Sequence, residues 1–266
     1  MSQIAETARI HKKAEIDKDV EIGDFCVIGE GVKIGAGTKI YNNVTLLGNT
    51  TIGKHNTIFP YAVIGTIPQD LKYAGEYVEL IIGDHNLIRE HCMFNPGTQG
   101  GGGKTILGNH NLFMAFVHMA HDCIVGDHCI FANNATLGGH VEIGNYVNFG
   151  GLSAAHQFVK VGDGAMIAAG SMLVQDAPPY CMLEGSRAVI RGLNRHRMRK
   201  LFSHEEIDFI SSLYKRLFSK TDTITNLAKK ELEENPTNPH IKQICEFILN
   251  SQRGIPINKK AVKNGE

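Results

Sequence analysis

A period of six residues runs through most of this chain, from Ile4 to Leu173. Every sixth residue from Ile4 to Ile64 is isoleucine or leucine. Hydrophobic residues make up 42% of the sequence, so this unbroken run has a chance probability of roughly 1 in 10,000. The repeat resumes in a new phase from Leu107 to Leu173. A period of six is neither the 3.6 of a helix nor the 2 of an alternating strand, and it indicates a hexapeptide β-helix.

Each repeat unit supplies one small and one large side chain to the same side of the chain. Val20 lies two residues before Ile22, and Cys123 lies two residues before Val125. Residues i and i−2 share one face of a strand, so we expect both to point inward. Glycine often follows the large residue, where we expect positive φ and a tight corner. These corner glycines are Gly23, Gly29, Gly35, Gly53, Gly65, Gly108, Gly126, Gly138, Gly144, Gly150 and Gly162.

The pattern resembles the left-handed parallel β-helix family. In that family three hexapeptides close one triangular coil. The resemblance implies the handedness and the coil length, whereas the spacing alone indicates only a repeat that must stack to bury its core. The predicted fold is therefore mainly β.

Two insertions interrupt the repeat, at residues 66–76 and 97–104. The second contains four consecutive glycines, Gly100 to Gly103. Insertions in solenoid proteins form loops on one face, which is often the binding face. Two insertions flanking the same stretch favour a functional loop over a tolerated surface loop.

The repeat ends near Pro178, and a helical pattern follows. Ser203 and Glu206 form a capping box ahead of an apolar periodic segment. Asn238 before Pro239 predicts an N-cap followed by proline at the first helical position, and a further helix is predicted over residues 223–233. We predict two domains: a β-helix at residues 1–186 and a small C-terminal α-helical domain at 187–266 that closes one end of the solenoid.

Composition limits the classes of function and location. The formal net charge is zero, which argues against general nucleic-acid binding. No apolar run reaches the length of a membrane span, and the first residues do not form a signal peptide. The six cysteines lack disulfide-type spacing, so we expect reduced thiols and a cytoplasmic protein. The basic segment from Arg187 to Lys200 is either a solvated helix face or a site for phosphates or an acidic partner.

Histidines cluster between His118 and His156. If three hexapeptides make one coil, His121 lies under Gly139, and Asp122 lies under His140. A histidine can act as a general base, and the backbone N–H of Gly139 can face a developing oxyanion. This combination favours acyl transfer in which a hydroxyl of the substrate attacks directly.

Two other interpretations of the histidines stay open. Any single histidine on a corner is more often plain polar surface. His118 and His121 with Cys123 are also possible metal ligands, although the spacing rules for helices do not apply on a β-helix corner.

Several longer motifs are similar to those of one enzyme family. They are Pro68–Tyr73, Asn86–Glu90, His118–Cys123, Ala132–Val141, Gly150–Gly151 and His156–Phe158. With the helical tail, they resemble the acyl-carrier-protein-dependent UDP-N-acetylglucosamine acyltransferases that begin lipid A biosynthesis in Gram-negative bacteria. The resemblance covers nearly the whole chain. It implies transfer of an (R)-3-hydroxyacyl chain from acyl carrier protein to the 3-position of UDP-N-acetylglucosamine, without a cofactor.

The resemblance also implies catalytic roles and an assembly. His121 would be the general base that removes the proton of the sugar 3-hydroxyl. Asp122 would support it, and the N–H of Gly139 would bind the thioester oxyanion. The family forms homotrimers with the site in the cleft between neighbouring subunits.

The implied substrate-contacting residues are Asp70, Lys72, His118, His140, His156, Gln157, Asn194 and Arg199. The two loop residues would reach the glucosamine, and the three histidines would line the sugar and acyl-donor site. Gln157 and Arg199 would bind the diphosphate, and Asn194 the uridine. Ala169 replaces a glycine that limits acyl-chain depth in the family. His196 stands where the family often has an acidic residue. The resemblance does not determine whether Arg199 or Lys200 contacts the phosphate.

The sequence leaves some alternatives open. The acceptor position is either a hydroxyl or an amine, and the preferred acyl-chain length is not determined. Other candidate functions are a later-step lipid A acyltransferase, a zinc-dependent enzyme like the γ-class carbonic anhydrases, and a non-catalytic β-helix scaffold.

Overall fold

The computed structural model describes residues 3–219 and 221–257, so the outer limits of the two predicted domains, Met1 and Glu266, lie outside the described residues. Within these residues the chain winds through three sheets of 11, 9 and 8 strands, which we call sheets A, B and C. Successive strands belong to A, B and C in turn, and nearly all pairs are parallel. The predicted parallel β-helix is therefore confirmed.

The strands are mostly two residues long. Sheet A contains Gln3–Ile4, Glu21–Ile22, Lys39–Ile40, Thr57–Ile58, Leu87–Ile88, Leu112–Phe113, Ile130–Phe131, Asn148–Phe149, Met166–Ile167, Cys181–Glu184 and Val189–Leu193. Sheet B contains Arg9–Ile10, Val27–Ile28, Thr45–Leu46, Val63–Ile64, Met93–Phe94, His118–Met119, Thr136–Leu137, Ala154–Ala155 and Met172–Leu173. Sheet C contains Glu15–Ile16, Lys33–Ile34, Asn49–Ile52, Glu79–Ile82, Lys104–Leu107, Ile124–Val125, Glu142–Ile143 and Lys160–Val161.

The register between coils confirms that three hexapeptides make one turn. Thr136 pairs with Ala154 in sheet B, and Glu142 pairs with Lys160 in sheet C. Across the second insertion Met93 pairs with His118, so the additional residues loop out between two regular coils. The insertions therefore leave the register of the sheets intact.

The inward residues form one continuous core. Val20, Ile22, Cys123 and Val125 are all buried, as the repeat predicts. Ile4 is 46% exposed because, in the described residues, its strand pairs on one side only, with Glu21–Ile22. Burial of this kind contributes about 25 cal/mol per Å² of apolar surface, so each fully buried isoleucine stabilises the fold by roughly 1.5–3 kcal/mol.

Glycine is required at these corners for a different reason from the one predicted. Of the eleven named above, all within the described residues, only Gly65 has positive φ. A Cβ at Gly35 would lie 2.7 Å from the carbonyl carbon of Gly53 on the next coil. Glycine is therefore needed there because successive coils approach too closely for a side chain, not because of the backbone angle.

The positive-φ positions lie two residues further along each corner. We name the corners by the sheets they join. The AB corner carries Phe116, Asn134 and Leu152 at positive φ; the BC corner carries Asp122, His140 and Phe158; and the CA corner carries His110, His128 and Tyr146. Asn, Asp and His tolerate this region better than most residues, and the rings of Phe116, Tyr146 and Phe158 each stack on a histidine ring.

A hairpin and four helices follow the coils in the described part of the chain. The hairpin pairs Cys181–Glu184 with Val189–Leu193, and the predicted domain boundary falls in its turn. The helices are α1 (Arg195–Leu201), α2 (His204–Leu217), α3 (Ile224–Glu234) and α4 (Pro239–Leu249). The capping box of Ser203 and Glu206 and the Asn238 N-cap are both present, as predicted. None of these described helices is long and apolar enough to cross a membrane.

Candidate active site

Both insertions leave the β-helix at the BC corner. Each begins after a sheet B strand, at Ile64 and Phe94, and each ends before a sheet C strand, at Glu79 and Lys104. Lys104, which we assigned to the second insertion, is the first residue of its strand and pairs with Glu79. The prediction that the insertions share one face is confirmed. Two loops at one corner favour a binding site there.

The predicted column of His121 and Gly139 forms on the same corner. A Cβ at Gly139 would lie 2.6 Å from Cε1 and 2.8 Å from Nε2 of His121, so the imidazole lies directly against the glycine. Within residues 3–219 and 221–257, the Gly139 N–H donates to no acceptor. The corner thus presents an imidazole beside an unused backbone donor.

His121 and the adjacent Asp122 are paired. Nδ1 of His121 lies 2.8 Å from Oδ2 of Asp122, whose side chain is only 1% exposed. A carboxylate accepts hydrogen bonds, so the ring proton belongs on Nδ1 and Nε2 is left as the acceptor. This is the tautomer that a general base needs.

His140 completes the cluster one coil above. Its Nε2 lies 3.8 Å from Asp122 Oδ2, and its ring is perpendicular to that of His121 and stacks on Phe158. Burial lowers the pKa of His140, while the charge of Asp122 acts in the opposite direction. The neutral ring can therefore accept or donate a hydrogen bond near neutral pH.

The first insertion lies close to His140. After burial and the charges of Asp122 and His121, the charge of Asp70 raises the pKa of His140 and that of Lys72 lowers it, so the field of this loop acts on the ring. The Asp70 carboxylate accepts a hydrogen bond from the Lys72 N–H at 3.0 Å, which shapes the loop tip. Both predicted loop residues thus lie on the insertion that leaves the BC corner.

The remaining predicted residues of this corner lie around the same cluster. His118 is on the outer face of sheet B, where burial lowers its pKa most, with a smaller effect from His121. His156 and Gln157 are exposed on the coil above Gly139. Polar side chains of this kind can hydrogen-bond a hydroxylated substrate.

Three predicted residues lie on other corners. Ala169 is exposed on the AB corner. Asn194 is buried against the CA corner, where Nδ2 donates to the Gly164 carbonyl at 2.9 Å and Oδ1 caps α1. Arg199 and Lys200 are both exposed in the last turn of α1, so the choice between them stays open. One chain therefore does not gather all the predicted contacts.

Two features of the structure escaped the sequence analysis. The first is Thr98, whose hydroxyl and N–H both bond to Asp122. The second is a stack of four exposed imidazoles on the CA corner, formed by His55, His85, His110 and His128. The repeat held a signal for this stack, because each of these histidines is the third residue after a core position.

A metal at this corner would have to use His121, Asp122 and His140, whose donor atoms lie within 4.8 Å of one another. The 2.8 Å between Nδ1 and Oδ2 is a hydrogen-bond length, whereas two ligands of one tetrahedral zinc lie roughly 3.3 Å apart. Cys123 lies in the core, its thiol donates to the Gly138 carbonyl at 3.2 Å, and it is not part of this donor group in the described residues. The donor set fits a hydrogen-bonded base better than a zinc centre.

Comparison with known proteins gives consistent matches over nearly the whole chain. The hexapeptide transferase family matches residues 31–66 and 104–139, and "Udp N-acetylglucosamine O-acyltransferase; Domain 2" matches residues 176–256. An acyl-[acyl-carrier-protein]–UDP-N-acetylglucosamine O-acyltransferase of Helicobacter pylori is 61% identical over 80% of this chain and 79% of its own length.

Solved structures agree with these matches. A crystal structure of a UDP-N-acetylglucosamine acyltransferase is 61% identical, with a TM-score of 0.95 over 96% of this chain and 99% of its own. The Campylobacter jejuni UDP-N-acetylglucosamine acyltransferase is 42% identical, with a TM-score of 0.92 over 97% of this chain and 100% of its own. This overlap confirms the predicted fold, a left-handed β-helix of hexapeptide repeats with C-terminal helices.

Proposed function

The chain belongs to the UDP-N-acetylglucosamine O-acyltransferase family, and we propose that it catalyses the reaction for which those relatives are named. It transfers an (R)-3-hydroxyacyl chain from acyl carrier protein to the 3-hydroxyl of UDP-N-acetylglucosamine, the first step of lipid A synthesis. The observation that carries the proposal is the His121–Asp122 pair set against Gly139.

The mechanism follows from the free atoms of this cluster. Nε2 of His121 takes the proton of the sugar 3-hydroxyl while the oxygen attacks the thioester carbonyl carbon. The negative charge that develops on the carbonyl oxygen is met by the Gly139 N–H, a contribution typically worth about 10²–10³-fold in rate. Asp122 stabilises the imidazolium. When the C–S bond breaks, the thiolate of the carrier receives the proton from His121.

The substrate contacts are assigned by the same proposal. Asp70, Lys72 and the three other histidines bind the sugar and the donor, while Gln157 and Arg199 bind the diphosphate and Asn194 the uridine. The side-chain amide of Asn194 is already used within the fold, so its contact to uridine would need the backbone or a shared donor. Ala169 limits the depth of the acyl groove.

A homotrimer is part of the proposal. Asn194 and Arg199 lie with α1 on the CA corner, where Arg197 sits 5.7 Å over the ring of Tyr146. His121 and Gly139 are on the BC corner. Two corners of one prism face different directions, so these groups can meet on one substrate only if neighbouring copies pair corner to corner. This supports sites between subunits.

The location and the division of the chain are further proposals. We assign the enzyme to the cytoplasm, where acyl carrier protein is found; its six buried free thiols suit a reducing compartment. The β-helix domain would end at residue 186 and the helical domain begin at 187. The basic segment from Arg187 to Lys200 would dock the acidic carrier protein as well as the diphosphate.

The direct test is an acyl-transfer assay with purified protein. The acceptors are UDP-N-acetylglucosamine and its 3-amino analogue, and the donors are carrier-bound (R)-3-hydroxyacyl chains of graded length. We expect transfer to the 3-hydroxyl with a maximum at one chain length. Transfer to the amine alone would replace the assigned acceptor, and no transfer with any pair would refute the function.

Shared sites are tested by mixing two inactive copies. Trimers that contain both His121→Ala and Arg199→Glu chains keep some sites with both wild-type residues. If sites lie between subunits, co-refolded mixtures recover activity that neither parent has. A mixture no more active than its parents, with mixed trimers verified by mass, would place each site within one chain.

A further inference from the structure

We propose that Thr98 and Gly101, in the glycine-rich second insertion, are positioning residues that direct the Asp122 carboxylate toward His121 and away from His140. The inference rests on the proposed function, because it assigns to this loop the task of preparing the general base. It also explains why a glycine is needed at position 101, which contact with the substrate does not explain.

Thr98 fixes both oxygens of the carboxylate. Its N–H donates to Asp122 Oδ1 at 2.8 Å, and its hydroxyl donates to Oδ2 at 2.6 Å. The same Oδ2 accepts the proton on Nδ1 of His121 at 2.8 Å. Two bonds from one residue to two oxygens hold the plane of the carboxylate, so its rotation about the last side-chain torsion is blocked.

The backbone of Asp122 is held as well. Its φ is +61°, and its N–H donates to the hydroxyl of Thr105 at 2.8 Å. The position of the carboxylate is therefore set from the sheet below and from the loop. Only the orientation of its oxygens depends on Thr98.

The orientation of the carboxylate determines which of the two imidazoles it accepts a hydrogen bond from. Oδ2 lies 2.8 Å from His121 but 3.8 Å from Nε2 of His140. Both rings are within reach of a modest rotation. Without the Thr98 hydroxyl, the carboxylate is free to divide its hydrogen bonds between them, and the proton on Nδ1 of His121 loses its fixed acceptor.

Gly101 brings the loop against the carboxylate. A Cβ at this position would lie 2.1 Å from Cγ of Asp122 and just over 2 Å from both oxygens. The loop backbone thus covers the group closely enough to exclude water, which strengthens the charged hydrogen bonds beneath it. Gly100, its neighbour, faces open space, because a Cβ there would have no other group within 4 Å.

The first experiment compares Thr98→Val with Thr98→Ser. Valine keeps the N–H and the shape but removes the hydroxyl, while serine keeps both donors. We expect Thr98→Val to lower kcat about tenfold to a hundredfold, with the dissociation constant of UDP-N-acetylglucosamine unchanged. Thr98→Ser should restore most of kcat. A Val variant with wild-type kcat would overturn the proposal, as would equal losses for Val and Ser.

A double-mutant cycle tests whether Thr98 acts through Asp122. If it does, adding Thr98→Val to Asp122→Asn lowers kcat less than about twofold further, because the charged carboxylate that the hydroxyl orients is already absent. Independent, multiplicative losses would mean that Thr98 does not act on the carboxylate. A different result, the absence of transferase activity in the wild-type protein, would refute the proposed function itself.

A second pair of variants does not depend on measuring the weak Asp122→Asn enzyme. Gly101→Ala pushes a methyl group into the carboxylate, whereas Gly100→Ala adds the same methyl group to the same loop without contact. We expect a loss in kcat of about tenfold or more for the former and less than about twofold for the latter. Thermal denaturation checks that both variants fold. Equal activity of the two alanine variants would overturn the role of Gly101.

Discussion

Two consecutive corners of this β-helix contain the same two residue types in opposite order. The BC corner has His121 followed by Asp122, and the CA corner has Asp127 followed by His128. In both pairs the second residue has positive φ, at 61° and 58°. Among the described residues, only the first pair joins its imidazole to its carboxylate, through Nδ1 of His121 and Oδ2 of Asp122. The backbone is the same, so order and neighbours explain the difference.

At the CA corner the order produces two ladders. Asp127 accepts hydrogen bonds from the N–H and Nδ2 of Asn109, at 2.6 and 3.0 Å. His128 stacks between His110 and Tyr146, with ring centroids 4.9 Å apart on each side. Both ladders join one coil to the next, so this corner stabilises the solenoid.

At the BC corner the reversed order frees the histidine. His121 occupies the position that Asp127 holds in the other corner, and the residue above it is Gly139 where the CA corner has Asn145. The glycine leaves room for the ring. The carboxylate at positive φ turns back to the ring and to Thr98 instead of bonding the coil below. The loss of one ladder contact thus creates a polarised imidazole.

The largest effect should come from removing one histidine of each corner. We expect His121→Asn to lower kcat by about 10²–10⁴-fold, because the general base is lost. His128→Asn should keep turnover within about twofold, since asparagine also tolerates positive φ and the ring only stacks. Steady-state kinetics with UDP-N-acetylglucosamine and carrier-bound acyl chain measure both.

This pair can contradict the comparison in two ways. Near wild-type turnover in His121→Asn would remove the base from this corner. A large loss of turnover in folded His128→Asn would mean that the histidine stack of the CA corner takes part in the reaction. Circular dichroism and the unfolding temperature separate either result from misfolding.

The glycine above the histidine should have the next largest effect. In Gly139→Ala the methyl group would lie 2.6 Å from Cε1 of His121, so the ring must move. We expect kcat to fall by about tenfold to a hundredfold, with a smaller change in the affinity for the nucleotide sugar. Gly151→Ala is the matched control, because Gly151 has the same place in the repeat on the AB corner and its Cβ would make only an ordinary 3.4 Å contact. Equal damage to turnover and binding in Gly139→Ala would count against the oxyanion role.

Much of the fold and of the site could be predicted from the sequence because the repeat acts as a ruler. Once three hexapeptides make a coil, His121 must lie beneath Gly139, and the structure agrees. Thr98 could not be predicted, since the path of an irregular loop is not set by any period. The prediction of positive φ at the corner glycines was wrong at most corners, because close approach between coils and positive φ both favour glycine and the sequence does not distinguish them.

Clustering of histidines alone does not distinguish a reacting corner from a stabilising one. The CA corner also gathers histidines, and within the described residues these rings stack without a carboxylate in contact. What distinguishes the BC corner is the glycine above His121 and the two insertions, both visible in the sequence. A search for functional corners in such repeats should therefore weigh the order of residues and the size of the residue one coil above.

The smallest effect on turnover, and a clear effect on stability, should come from the polar ladder inside the CA corner. Asn86 is fully buried; its Nδ2 donates to Asn56 Oδ1 and to the Gly108 carbonyl, and its Oδ1 accepts from the Asn111 N–H. Asn86→Ala takes these partners away from the Gly108 carbonyl and the Asn111 N–H. We therefore expect the free energy of unfolding to fall by about 2–4 kcal/mol. Denaturant unfolding measures this loss, and the unfolding temperature should fall with it.

Turnover in the same variant tests the division between the two corners. Because the CA corner holds no reacting group in the proposed mechanism, kcat of folded Asn86→Ala should stay within about twofold of wild type. Asn133→Ala, at an exposed position, is the control and should change neither stability nor turnover much. A large fall in kcat at temperatures where Asn86→Ala is folded would show that the two corners are coupled, and would break the division of the molecule into a stabilising and a reacting corner.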